Sequence, residues 1–323
     1  MTAAIDPRTS AAEPQLATPA WVDRAAFPFR SHFLEVAPGR RVHYVDEGEG
    51  DVLLFVHGTP TWSFEWRHCI RALSRTHRCI AMDNLGFGLS DRPRDFDYTP
   101  ESHAGVLRGF VERMGLRDLT LVVHDFGGPI GLPLALRDAS AVRRLVLLNT
   151  WMWSFRDDPE MVRKGRMASG TIGRLLYRYA NFSLRVLTPY AYGDRTKLTP
   201  RIHQQYLAPF RDPDSRERVL WPLARAILGS SRYFDSLWLL RDRLRGVPAL
   251  VVWGMKDPAF QLRQLDRWKE TLPQASVLEL PVGHWPQEES PEEVTLAIQH
   301  FLAPGSGDNP NLDFLEQREP NAD

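Results

Sequence analysis

Leu119-Thr120-Leu121-Val122-Val123-His124-Asp125-Phe126-Gly127-Gly128 is the stretch that decides the fold. It runs from leucine and β-branched residues into a glycine pair, and Pro129 to Arg137 beyond it reads as helical. A strand, a sharp turn and a helix make a nucleophile elbow, which lifts one side chain above a sheet. Glycine belongs where strand and helix pack too closely for a β-carbon. The raised residue here is Asp125. A serine would point to acyl transfer. A carboxylate is ionised without help and attacks a saturated carbon, displacing a leaving group and forming an ester on the protein.

Outward from the elbow, short apolar runs recur. Buried strands are expected at Asp51–Val56, Arg78–Met82, Leu119–Val123, Arg144–Leu148, Pro248–Trp253 and Ser276–Leu280. They are nearly continuous in Val, Leu and Ile, as strands covered on both faces are. Helical patterns lie between them, such as Pro100–Met114. The last helix has a start signal in Ser290-Pro291-Glu292-Glu293: an N-cap, a proline at the first position and a capping-box glutamate. Alternation of this kind predicts an α/β fold, a mostly parallel central sheet with helices on both faces.

The alternation stops after Asn149. Residues 151–228 contain no such strand but several helix starts, Thr199-Pro200 among them, and a break from Pro209 to Pro213. They read as a helical cap domain inserted over the carboxyl edge of the sheet. Residues 25–150 and 229–303 then form the core. Residues 1–24, rich in Ala, Pro, Thr and Ser, and the tail 304–323 are expected to be loose.

Composition narrows the class. The 40 basic and 40 acidic residues balance, so neither nucleic acid nor a membrane surface is an expected partner. No apolar run approaches the roughly 20 residues needed to span a bilayer. The first residues lack a basic and apolar leader, which points to a cytoplasmic enzyme. In that compartment Cys69 and Cys79 are expected to stay reduced. The composition leaves room for a homo-oligomer.

Two more motifs complete a set. Val251-Val252-Trp253-Gly254-Met255-Lys256-Asp257-Pro258 ends a strand with an acid in the following loop. Pro281-Val282-Gly283-His284-Trp285-Pro286 follows the next strand with a histidine. Either residue alone would be an ordinary loop residue. In the order nucleophile, acid, histidine, each just after a strand, Asp125, Asp257 and His284 read as a triad. The loop Val56-His57-Gly58-Thr59-Pro60-Thr61-Trp62-Ser63 would set the Thr59 N–H beside that of Phe126 as an oxyanion hole. His57 and His124 read as scaffold, because neither has a following acid in the right order.

With these residues in place, the chain resembles the haloalkane dehalogenases. The resemblance rests on the 57–67 loop, on Asp83-Asn84-Leu85-Gly86-Phe87-Gly88-Leu89-Ser90-Asp91, on Val123–Gly128, on Gly254–Asp257 and on Gly283-His284. It covers roughly residues 30 to 303 in order. It implies an α/β-hydrolase fold with a helical cap, no cofactor and no metal, and a small apolar substrate with water. It also implies Asp125 as nucleophile, His284 as base and Asp257 as the partner of His284. Some subfamilies carry a glutamate after the preceding strand, but here that region is Leu148-Asn149-Thr150-Trp151. Two positions depart from the family. Its usual tryptophan after the nucleophile is Phe126, which has no N–H donor, and its frequent asparagine after His-Gly is Thr59. Trp62, Trp151 or Trp153 could instead bring an indole N–H to the leaving group.

Other reactions remain open on these residues. An epoxide hydrolase would use the same triad with tyrosine donors, for which Tyr177, Tyr179, Tyr190, Tyr192, Tyr206 and Tyr233 are candidates. A β-lactone-processing relative would expel a carboxylate, which needs no halide cradle. A catalytically silent binding protein is the remaining reading, and an intact triad argues against it.

Overall fold

The computed structural model describes residues 18–138 and 140–303. The strands are β1 (His32–Ala37), β2 (Arg40–Glu47), β3 (Val52–Val56), β4 (Arg78–Met82), β5 (Leu119–Asp125), β6 (Val142–Thr150), β7 (Ala249–Gly254) and β8 (Ser276–Leu280). They form one sheet in the order β1-β2-β4-β3-β5-β6-β7-β8. From β4 to β8 every neighbour is parallel, while β1, β2 and β4 pair antiparallel. Every residue of β5 is buried, which is what an uninterrupted apolar run at the middle of a two-sided sheet requires.

The expected strands are β3 to β8, with ends shifted by a residue or two. β1 and β2 were not expected. Their sequences, His32-Phe-Leu-Glu-Val-Ala37 and Arg40-Arg-Val-His-Tyr-Val-Asp-Glu47, mix charge with apolar residues. An edge hairpin with solvent on one side tolerates that mixture.

Helix starts follow local chemistry. The Thr99 side chain accepts from the Ser102 N–H at the head of Pro100–Arg113, and Thr199 does the same for Ile202 in Pro200–Leu207. The expected cap at Ser290 is corrected. Its backbone sits at φ −134°, ψ 59°, outside the extended region that aims a capping oxygen, and its side chain caps nothing. A capping box does occur, between Gln261 and Gln264, at the start of Leu262–Thr271.

Between Thr150 and Ala249 the described residues form helices and turns but no strand. The Pro209–Pro213 break is a short 3₁₀ turn, Ala208–Phe210, followed by a new helical start at Pro213. The expectations for residues 1–17 and 304–323 lie outside the described residues. Residues 18–24, expected to be loose, are held. Trp21 meets Trp62 edge-on at 5.5 Å, Val22 is buried, and the Asp23 N–H donates to Gln205 Oε1 at 2.9 Å. Two apolar side chains close to the chain start gain more by burial than the segment loses in freedom. Cys69 and Cys79 are both buried and unbonded.

Candidate active site

The carboxyl ends of β3, β5, β6, β7 and β8 bring the candidate residues to one edge of the sheet, where ligand sites of open α/β sheets form. Asp125 ends β5 at φ 51°, a left-handed conformation that a non-glycine residue adopts at a cost. The turn is possible because its neighbours have no side chain. A β-carbon on Gly127 would lie 2.1 Å from the Val56 carbonyl oxygen, and one on Gly58 would lie 2.2 Å from Asp125 Oδ1. The Thr150 hydroxyl donates to the Asp125 carbonyl at 2.5 Å and ties the elbow to β6.

The Asp125 carboxylate has two neighbours. The Thr59 N–H donates to Oδ1 at 2.8 Å. His284 Nε2 stands 3.6 Å from Oδ2, an ion-pair distance too long for a hydrogen bond. The other face of the imidazole is fixed: His284 Nδ1 lies 2.6 Å from Asp257 Oδ2. Asp257 is buried and also accepts from Asn149 Nδ2 at 2.8 Å and from the Ala259 N–H at 2.7 Å. Burial works against its charge, but the imidazole of His284 and these donors outweigh it and hold its pKa below the usual carboxylate range. Burial likewise opposes charge on His284. The carboxylates of Asp257 and Asp125 on either side prevail and push its pKa well above that of free imidazole.

Several residues that position this site are not obvious in the sequence. Asn149 stands at the place where some relatives carry an acid. Its amide bonds Asp257, and its Oδ1 accepts from the Gly254 N–H at 2.7 Å. The His284 loop is tied at two further points. Its N–H donates to the Ala191 carbonyl at 2.8 Å, and its carbonyl lies 2.8 Å from His124 Nε2. His124 Nδ1 in turn faces the buried Glu65 carboxylate at 3.4 Å. His124 is therefore a support behind the histidine loop. His57 is a scaffold too, lying between the Gly58 carbonyl at 2.7 Å and the Asn84 N–H at 2.9 Å. Apart from His57 with its neighbour Gly58, these contacts join residues 27 to 160 positions apart in the sequence, so only the folded chain reveals them.

The three candidate tryptophans separate. Trp62 donates its indole N–H to the Gln205 carbonyl at 3.0 Å, so that donor is spent on the fold. Trp153 packs against Trp238 and Trp268, with the Arg267 guanidinium over its ring. Trp151 differs. Its ring meets Phe126 edge-on at 4.7 Å and lies 4.9 Å from Phe260, which is itself 5.5 Å from His284. Its indole N–H is buried without a partner among the described residues. A buried donor left unpaired costs roughly 1–3 kcal/mol, so an acceptor arriving beside Phe126 would relieve it.

The tyrosines separate as well. Tyr179 and Tyr190 are exposed. Tyr206 donates to Glu288, and Tyr233 donates to the Pro129 carbonyl at 2.7 Å. Tyr192 stacks on Trp285 at 5.2 Å among charges from Glu288, Arg67 and Glu289, and its buried hydroxyl has no partner among the described residues. Tyr177 is buried. Burial, with the Asp125 charge adding to it, pushes its hydroxyl up to about 12, against a bond from Ser183 that works the other way. Among the described residues no cluster of three or more His, Cys, Asp or Glu side chains could hold a metal.

Known proteins agree with this architecture. Residues 51–291 match the α/β hydrolase fold family. A cis-3-alkyl-4-alkyloxetan-2-one decarboxylase of Shewanella oneidensis is 34% identical over 85% of this chain and 89% of its own length. Haloalkane dehalogenase 2 of Mycobacterium tuberculosis is 35% identical over 85% of this chain and 96% of its own. The crystal structure of the haloalkane dehalogenase DatA from Agrobacterium tumefaciens superposes with a TM-score of 0.72 at 26% identity, covering 83% of this chain and 94% of that one.

Proposed function

The chain belongs to the haloalkane dehalogenase family of α/β-hydrolases, and from that premise we propose that it cleaves carbon–halogen bonds through an ester on Asp125. The observation that carries this reading is the histidine between two carboxylates, 2.6 Å from Asp257 and 3.6 Å from Asp125.

In the first step an Asp125 oxygen attacks the carbon that bears the halogen. The C–O bond forms, the C–X bond breaks, and the halide leaves with the electron pair. Trp151, with its unpartnered indole N–H, is the donor for that halide, taking the role that Phe126 lacks. In the resting state His284 is held in its protonated form by both neighbouring carboxylates. Esterification removes the negative charge of Asp125, so His284 loses one of the two anions that sustain its proton. That proton passes to solvent, balancing the departing halide, and His284 becomes a base. It then takes a proton from water, the hydroxide adds to the ester carbonyl, and the backbone N–H groups at Thr59 and Phe126 stabilise the oxyanion. Collapse returns the carboxylate and frees the alcohol. Helices of the 151–228 segment act as the cap that keeps bulk water from the ester.

A second reading draws on Phe126. A β-lactone would be opened at the same carboxylate, and its leaving carboxylate stays tethered to the substrate, so no halide cradle is needed. The Shewanella relative is named for decarboxylation of such a ring. Epoxide hydrolysis has less support, because Tyr179 and Tyr190 are exposed and the hydroxyls of Tyr206 and Tyr233 are spent on Glu288 and the Pro129 carbonyl.

The test is ester trapping. His284→Phe should still be alkylated by a 1-bromo- or 1-iodoalkane and then stall, gaining the alkyl mass on the peptide that holds Asp125. Asp125→Ala should gain none, and steady-state turnover should fall by about 10²–10⁴ in the histidine variant. Turnover of a cis-β-lactone or an epoxide with no haloalkane adduct would transfer the function to that reaction. No adduct and no turnover with any of them would leave a binding protein.

A further inference from the structure

The balanced charge of the whole chain conceals a one-signed segment. Residues 161–193 contain six basic residues and no Asp or Glu. The same stretch carries eight of the eleven large hydrophobic side chains that stand exposed among the described residues. A surface helix should turn polar residues outward. The helical run 171–180 does the reverse: Ile172, Leu175, Leu176 and Tyr179 are exposed at the i, i+3, i+4, i+7 spacing of one face. Beyond Asn181, Val186, Leu187 and Tyr190 are exposed as well.

Arginines flank the stripe. Arg174 and Arg178 lean on Glu217, and the Arg178 guanidinium lies 5.3 Å from the centre of the Tyr179 ring. Arg166 and Arg185 are exposed, and no ion pair joins either to a carboxylate among the described residues. Exposed apolar side chains and cations on one acid-free segment suit a lipid interface, with acyl chains to take the first and phosphates the second.

We propose that this face of the helical insertion docks on an anionic membrane surface. Charge argues against a second copy as the occupant. A two-fold interface sets the same patch against itself, and would bring two acid-free basic segments together. No helix among the described residues is long and apolar enough to cross a membrane, so the contact is peripheral. The placement also suits an apolar substrate. The inward side of the same helix carries Tyr177, which is buried and feels the charge of Asp125. One helix thus separates the patch from the nucleophile, whatever bond that nucleophile breaks.

Vesicle sedimentation tests this without reference to activity. The full chain should pellet with phosphatidylcholine vesicles containing a third phosphatidylglycerol, about tenfold more than with phosphatidylcholine alone, and less as salt rises. Ile172→Glu with Tyr179→Glu should abolish pelleting, and so should Arg166→Glu with Arg185→Glu. All four positions are exposed, so the thermal unfolding midpoint should stay unchanged in both variants. Failure to pellet, or equal pelleting with both vesicles, overturns the proposal. So does light scattering that shows a dimer which these variants dissolve, for then the occupant is a second copy.

Discussion

At the scale of single residues, Trp151 is the donor proposed in place of Phe126, whose ring has no N–H. Two sequence positions that lie 25 residues apart meet as rings 4.7 Å apart. If the indole N–H receives the leaving group, Trp151→Phe keeps the ring and removes only the donor. The expected loss in turnover is about 10²–10³ for a chloroalkane, the range for deleting one donor to a developing anion. It should be smaller for bromide and smallest for iodide, which need less stabilisation. Unfolding free energy in urea should hold or rise, since an unsatisfied buried N–H is gone. Equal losses for all three halides would remove Trp151 from this role. Asn149, for its part, holds the histidine's partner in place, donating to Asp257 at 2.8 Å.

At the scale of elements, the elbow is a strand, a turn and a helix forced close. Gly127 belongs to this contact, because its missing β-carbon would meet a backbone oxygen, which cannot swing away. Gly127→Ala should cost about 1–3 kcal/mol of unfolding free energy. It should also lower turnover about 100-fold by displacing Asp125. Gly105, exposed in the helix Pro100–Arg113, has nothing within 4 Å of the same added carbon. Gly105→Ala should stabilise by about 0.5–1 kcal/mol, as helix propensity dictates. Urea titration of both variants separates close packing from chain flexibility. The helical insertion is tied to the core by a different device. Tyr206 and Arg67 converge on the buried Glu288 carboxylate, Arg67 Nη2 at 2.7 Å. Glu289 accepts from the N–H groups of Gly283 and Asp194, both at 2.9 Å. The loop of His284 therefore shares its anchors with the insertion.

At the scale of the whole molecule, acid should unfold the protein earlier than its carboxylates alone would suggest. His103 is fully buried among Phe87, Phe96 and Tyr98, and neither ring nitrogen has a partner among the described residues. Burial pushes its pKa down to about 3, with repulsion from His57 adding to it and Asp97 opposing it. Its folded pKa lies below its unfolded value of about 6.5, so between those two the unfolded chain binds the proton and the native state does not. Its contribution is thus complete above about pH 6.5 and is lost as pH falls toward the folded value. At up to 1.4 kcal/mol per pH unit, this one group should cost about 2 kcal/mol between pH 7 and pH 5. His103→Phe should remove that part of the slope in urea titrations at the two pH values. A slope unchanged by the substitution would show that the ring already titrates in the native state.

The order Asp125, Asp257, His284 and the parallel strands were legible in the chain itself. Each depends on local pattern: apolar runs, turn glycines and loop residues that follow strands. The edge hairpin of β1 and β2 was not legible, because half-exposed strands lose the continuous apolar signature. Nor was the fate of each indole, since Trp62, Trp151 and Trp153 look alike until their neighbours are known. Only tertiary contact spends the first on Gln205, packs the third beneath Arg267 and leaves the second without a partner beside Phe126. Charge followed the same rule. Composition determined the sum, which is zero, but where the cations stand, and that apolar side chains stand outward among them, is a property of the folded surface.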